Sequence, residues 1–239
     1  MSPGSHSGPS GGAPIDCSRS MDVHRFYGAL MRGFRLRRMR RFEAQFAPGR
    51  ETRILDVGGS AFNWELAGIR AHVTLVNLML PRHTPAEPEL FASVIGSGTA
   101  LPVRSGAFDI AFSNSVIEHV GNFEDQRRFA EELREAAGSL WVQTPARSFP
   151  LEMHLLTPFI HYLPRRLQAP LVRNFTVWGW LSRPAPEVAR GFVERTRLLG
   201  FREMQRLFPD CEVRRERFLG LTKAYVAVRV GPGSGSAAR

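Results

Sequence analysis

The spacing of apolar positions changes along the chain. Over residues 22–46, Phe26, Leu30 and Phe34 repeat every four residues, and Met39, Phe42 and Phe46 carry the stripe onward. That period predicts an N-terminal helix. From Thr52 onward, short apolar runs alternate with amphipathic stretches. Strands are predicted at 53–57, 72–78, 93–95, 108–113 and 140–143. A helix is predicted over 61–69 and another over 124–137, the latter stopping near Gly138 as helices commonly stop at glycine. Such alternation implies a parallel sheet with helices on both faces. Two more strand-like runs, 212–218 and 222–230, flank Leu219-Gly220-Leu221 and read as an antiparallel pair. The expected class is α/β: a doubly wound, mostly parallel, seven-stranded Rossmann-like sheet with an antiparallel C-terminal strand.

Domain limits follow from composition. Residues 1–20 and 231–239 are Gly/Ser/Pro-rich tails that cannot bury enough to offset their ordering entropy. The remainder, 21–230, is expected to be one domain, with an N-terminal helix at 21–47 and a lid or substrate segment at 147–191. A chain of 239 residues with 43% hydrophobic content suits a single large core. No apolar run reaches the roughly 18 residues of a spanning helix, and residues 1–20 lack the apolar centre of a secretory signal. A cytoplasmic protein is expected. Cys17 and Cys211 are too few for a disulfide framework or a cysteine-built metal centre.

Charge changes this picture only locally. The formal net charge is +10, and Lys223 is the single lysine among the basic residues. Arginines spread this evenly point to coding bias before they point to a polyanion site. Arg32, Arg35, Arg37, Arg38, Arg40 and Arg41 crowd the N-terminal helix beside its apolar stripe. Such a helix either packs the stripe and solvates its arginines or makes a peripheral membrane contact. No aromatic-flanked basic motif or nucleic-acid module stands out, so the expected partner is a small molecule.

In an open α/β sheet, ligands bind beyond the carboxyl ends of the strands. Asp56-Val57-Gly58-Gly59-Ser60 follows the first strand, with two glycines where the backbone must turn. A dinucleotide fingerprint would require further glycines at Ser60 and Asn63, so that motif fails. Taken together, four segments resemble the class I S-adenosylmethionine-dependent methyltransferases, in the broad type 11 group. Arg53-Ile-Leu-Asp-Val-Gly-Gly59 is similar to the loop that cradles the methionine part of the cofactor. Val73–Leu78 is similar to the strand that presents a ribose-binding residue, and Gly96-Ser-Gly-Thr-Ala-Leu-Pro102 to the loop beside the adenine. Phe108-Asp-Ile-Ala-Phe-Ser-Asn-Ser-Val-Ile-Glu-His-Val120 resembles the strand and turn that line the transfer cleft.

The resemblance implies S-adenosylmethionine as cofactor. It implies cofactor contacts from Asp56, Gly58, Gly59, Ser60, Asn77, Leu78, Ser97, Gly98, Thr99, Asn114 and Ser115. Ser60, Asn77 and Ser97 depart from the family pattern; at Asn77 and Ser97 the charge of a carboxylate is lost. His119 is the candidate general base, with a structural role in its turn as the alternative. Glu118 reads as a loop organiser. Glu152, His154 and Tyr162 are the candidate substrate residues. Glu152 and His154 stand two apart, without the i, i+4 spacing of a helical metal pair, so no metal is expected. The apolar, aromatic and Pro-broken segment 147–191 points to an apolar or aromatic acceptor. A non-catalytic methyltransferase-like binding or scaffold protein and an RNA methyltransferase remain the alternatives at this point.

Overall fold

The apolar stripe of the N-terminal segment forms α1 (Cys17–Phe46), which starts upstream of the predicted helix, inside the stretch read as tail. The structure, a computed structural model, describes residues 17–80 and 83–231; the rest of the two expected tails lies outside them. Contacts divide the chain between Phe34 and Arg35, and the core, the cavities and the site lie in the unit from Arg35 onward.

The predicted alternation is present. The elements run β1 (Arg53–Val57), α2 (Ala61–Ala67), β2 (His72–Asn77), β3 (Phe91–Ile95), β4 (Phe108–Asn114), α3 (Phe123–Ala136) and β5 (Ala137–Pro145). A short hairpin follows, β6 (Leu151–Glu152) and β7 (Thr157–Pro158). Then come α4 (Arg165–Phe175), α5 (Val177–Ser182), α6 (Pro186–Arg195), α7 (Phe201–Leu207), β8 (Glu212–Phe218) and β9 (Leu221–Arg229). The seven-stranded sheet has the order β3-β2-β1-β4-β5-β9-β8. The first five strands pair in parallel, while β9 is antiparallel to both β5 and β8. The C-terminal pair therefore does more than close the sheet: its last strand inserts between β5 and β8.

Two apolar layers explain why the strands take this register. Side chains alternate across a strand with period two. Ile54, Phe112, Trp141, Val226 and Val228 face one side, against Met39, Phe42 and Phe46 of α1 and Trp64 of α2. Leu55, Ala111, Leu140, Val142, Tyr225 and Ala227 face the other, against Phe129 and Leu133 of α3 and Met204 of α7. The stripe of α1 thus packs on the sheet from Met39 on. Arg38 turns inward with it, donating to Asn114 Oδ1 at 2.6 Å, while Arg35, Arg37, Arg40 and Arg41 are exposed. No helix among the described residues is long and apolar enough to cross a membrane.

One expectation fails for a definable reason. The third helix ends at Ala136 and β5 starts at Ala137, so Gly138 lies inside the strand and is no cap. The helix end is capped by an arginine instead. Arg229 of β9 donates to the carbonyls of Arg134 (2.9 Å), Ala137 (2.5 Å) and Gly138 (3.0 Å). A guanidinium satisfies orphan carbonyls as a left-handed glycine would.

The segment after β5 holds the hairpin, a 3-10 turn at Ile160–Tyr162 and three short helices that end at Arg195; Pro164 and Pro186 stand at the starts of α4 and α6, while Pro170 lies within α4. It has its own small core of Leu155, Ile160, Val172, Ala189 and Val193, with Trp178 and Phe192 packed on it. Phe159, Tyr162 and Trp180 are instead exposed.

Phe42 is the hinge pin of the α1 face: fully buried, its ring meets Trp64, Phe112 and Trp141 edge-on at 5.5, 5.2 and 5.9 Å. Truncating a buried phenylalanine costs about 3–5 kcal/mol. Phe42→Ala should lower the unfolding free energy by that amount in urea titration.

Candidate functional site

The turn after β1 builds one wall of the site. Gly58 has φ +79, and its N–H donates to Val76 O at 2.8 Å. A Cβ there would also stand 2.5 Å from Val116 Cγ2, so the position requires glycine both for its conformation and for space. At Gly59 a Cβ would overlap the Asp56 carboxylate, which lies directly beneath. Asn77, at the end of β2, donates through Nδ2 to Gly59 O at 3.0 Å and so ties the second strand to this turn. Opposite them, Ser97 Oγ and Thr99 Oγ1 share a hydrogen bond of 2.8 Å and set the turn after β3. Gly98 of that turn lies against the Phe129 ring, with no room for a side chain.

These elements enclose a cavity of about 550 Å3. Gly58, Gly59, Asn77, Leu78, Ser97, Gly98 and Thr99 line it, as the sequence led us to expect, and His119 reaches it from the other side. Val57, Val76, Met79, Leu80, Gly96, Val116, Val120 and Phe129 line it too and were not foreseen. Leu78, Met79 and Leu80 form an exposed apolar lip.

Four expected contacts are placed elsewhere. Asp56 is fully buried and does not line the cavity; its Oδ2 accepts from Trp64 Nε1 at 2.8 Å and its Oδ1 has no hydrogen-bond partner. On β1, Asp56 shares a face with Ile54, so it points at α2 and underpins the glycine turn. Ser60 occupies the N-cap position of α2, with no side-chain cap bond, and does not line the cavity. Asn114 shares its strand face with Phe112 and therefore meets Arg38. Ser115, at φ +57, donates to Gln143 Oε1 at 3.0 Å, and the chain turns there so that Val116 covers Gly58.

Beyond β4 the turn Ile117–His119 is a single turn of 3-10 helix held from two sides. Gln126 Nε2 donates to Ile117 O at 2.9 Å, and Arg197 N to Glu118 O at 2.7 Å. Glu118 is fully buried; Thr144 Oγ1 donates to its Oε2 at 3.0 Å, while its Oε1 has no hydrogen-bond partner. Burial raises its pKa to about 7, against the opposing pull of His154. His119 Nε2 stands 3.2 Å from His154 Nε2, and its Nδ1 stands 3.3 Å from Thr196 Oγ1. Burial, and then the charge of His154, lower the His119 pKa to about 4. Glu152 holds His154 through its Nδ1 at 2.7 Å and accepts from Leu155 N at 2.6 Å. The His154 pKa is lowered by desolvation and raised by its bond to Glu152, then by the charges of Glu152 and Glu118, and rises on balance.

A second cavity of about 250 Å3 lies under the short helices. Leu155, Ile160, Phe192, Val193 and Leu198 give it an apolar side, and Arg147, Glu152, His161, Arg165, Gln168, Thr196 and Arg197 a polar one. Of the three substrate candidates, Glu152 lines this cavity, and His154 does not line it but contacts Glu152 and Phe192, which do. Tyr162 lines neither described cavity; it is 51% exposed beside Phe159 and His161.

A parallel sheet of this order, with a glycine-walled cavity beyond β1, β2 and β4, defines the Rossmann-like class whose ligand lies at the switch point. Residues 52–137 match a family model described as a methyltransferase domain. The matched stretch runs from just before β1 to the start of β5 and holds every residue that lines the 550 Å3 cavity. The glycine walls, the Asn77 edge and the cavity size fit S-adenosylmethionine, the cofactor that the sequence resemblance implies. Among solved structures, a possible exported protein of Bordetella parapertussis is 14% identical with TM-score 0.53, covering 93% of this chain and 75% of that one. Magnesium protoporphyrin IX methyltransferase of Synechocystis, with S-adenosylhomocysteine bound, is 12% identical with TM-score 0.48, covering 92% and 90%. The Burkholderia thailandensis 1,6-didemethyltoxoflavin N1-methyltransferase is 14% identical with TM-score 0.48, covering 93% and 92%. No curated protein sequence matches the chain.

Asp56 supplies a pH signature of the turn. Burial raises its pKa to about 7, only partly offset by the Trp64 bond. A carboxyl that holds its proton more tightly folded than unfolded stabilises the fold below the ordinary carboxylate range, and that stability is lost as pH rises through about 7. The wild-type melting temperature should therefore fall from about pH 5 to about pH 8. Asp56→Asn should lessen this slope, leaving the share contributed by Glu118, while folding normally, since an amide oxygen still accepts from Trp64.

Proposed function

We propose that the 550 Å3 cavity holds the methyl donor and that the 250 Å3 cavity receives a small acceptor. In this reading Gly58 and Gly59 face the amino-acid part of the donor, Asn77 the ribose, and Leu78 with the 96–99 turn the base. When bound, the sulfonium supplies an already activated methyl group, so the protein's task is alignment and exclusion of water. The observation that carries the reading is the junction of the two cavities. His119 lines the first, its partner His154 is held by Glu152 of the second, and Thr196 and Phe192 of the second contact His119.

The lid, 147–195, closes over the acceptor side. Its apolar wall supports an acceptor with an aromatic or apolar body, while Arg147, Arg165 and His161 favour a polar or anionic edge. Both ring nitrogens of His119 face protein atoms, so His119 positions the wall between the cavities and does not take a substrate proton unaided. Asp56 supports the donor turn from below without touching the donor.

Calorimetry with S-adenosylhomocysteine tests the placement. Wild type should bind with micromolar affinity, Gly58→Val should abolish binding with the fold intact, and Asn114→Ala should leave affinity unchanged. Undiminished binding by Gly58→Val, or no wild-type binding at millimolar ligand, would reject it.

A further inference from the structure

Three groups converge between the cavities from separate stretches of chain. Glu118 and His119 lie on the turn after β4, and His154 lies on the β6–β7 hairpin. The three facing atoms are Glu118 Oε1, His119 Nε2 and His154 Nε2. The nitrogens are 3.2 Å apart, and the carboxylate oxygen stands 4.0 Å from His119 Nε2 and 3.8 Å from His154 Nε2. Two ligands each about 2.0–2.2 Å from one ion can be at most about 4.2 Å apart. All three separations fall within that limit.

The surroundings are those of ligands already oriented. His154 Nδ1 is held by the Glu152 carboxylate, and His119 Nδ1 faces Thr196 Oγ1. Outer partners of this kind fix the tautomer and present the Nε2 lone pair. With both imidazoles neutral in that tautomer, their Nε2 lone pairs and a fully buried carboxylate oxygen that lacks a hydrogen-bond partner would face a common point. The side chains of His119 and His154 are 35% and 26% exposed, which leaves an ion a way in.

We propose that Glu118, His119 and His154 form a divalent transition-metal site, with Glu152 as the outer carboxylate that orients His154. Two imidazoles and one carboxylate favour zinc, cobalt, nickel or ferrous iron over magnesium or calcium, which take oxygen donors. Three protein ligands leave coordination positions open, the arrangement of a reactive and not a purely structural centre. Phe192, which lines the acceptor cavity, lies against both imidazole rings. Resting on the function proposed above, this assigns the acceptor a donor atom, an oxygen or nitrogen, that the ion can bind and acidify. The ion site itself stands without that reading.

The test uses the full chain stripped with a chelator and titrated with Co2+, followed by visible ligand-field absorption and by calorimetry, with Zn2+ as competitor. One equivalent should bind and be displaced by Zn2+. His119→Ala and His154→Ala should each abolish the absorption, and Glu152→Gln should weaken binding about 10–100-fold. S-adenosylhomocysteine affinity of His154→Ala, which does not line the donor cavity, reports folding and the donor site separately. Wild-type protein that binds S-adenosylhomocysteine but no Co2+ overturns the metal site and leaves the methyltransferase reading intact. Co2+ binding that survives both histidine substitutions also overturns it, by placing the ion elsewhere. A shared proton between the two histidines would then be the account of their contact.

Discussion

The site depends on a turn that can carry no side chain. Immediately after β1 the backbone crosses above the Asp56 carboxylate and beneath Val116, and a Cβ at either glycine would collide with one of them. The turn therefore transmits position in two directions. Through Gly59 O it fixes Asn77 and the end of β2; through Val116 it fixes the start of the turn that presents Glu118 and His119. The 550 Å3 cavity and the polar cluster are consequently set by one local constraint. Asp56 supports it from below at the expense of burying a carboxylate with only one hydrogen-bonded oxygen.

The same constraint explains why an amide stands at Asn77. A carboxylate there would add a charge, but it could not donate to Gly59 O. It would set an oxygen against that carbonyl at the 3.0 Å now spanned by a hydrogen bond. The amide couples strand to turn and still carries an acceptor. The loss of charge at this position is a change of role, not simply a weakening.

The sheet and half of the residues that line the 550 Å3 cavity were legible in the sequence because they depend on local signals. Buried parallel strands are short apolar runs, and the turns between them need glycine at defined places. Asp56 and Asn114 were misplaced although the signal was present: period-two alternation puts Asp56 with Ile54 and Asn114 with Phe112, on the face covered by α1 and α2. Motif similarity drew attention to their position in the chain and away from their direction. The meeting of His119 with His154 had no local signal, since the two are 35 residues apart and join only through tertiary packing. Spacing rules for metal ligands within one helix cannot see such a pair. The end of α3 was likewise hidden, because its cap comes from Arg229, on the last strand.

That last arginine also bears on the net charge of +10. Several arginines serve as internal fasteners. Arg229 joins β9 to the end of α3 and pairs with Asp210, and Arg197 bonds Gln126, which holds the Ile117–His119 turn, and pairs with Glu203. Arg38 reaches Asn114 and Glu216 from α1. A planar guanidinium can bind several carbonyls or a carboxylate and an amide at once, which a lysine ammonium does less well. These arginines link elements far apart in the chain, and one of them holds the turn on which His119 stands. These three arginines act through geometry, and Arg197 does so close to the site.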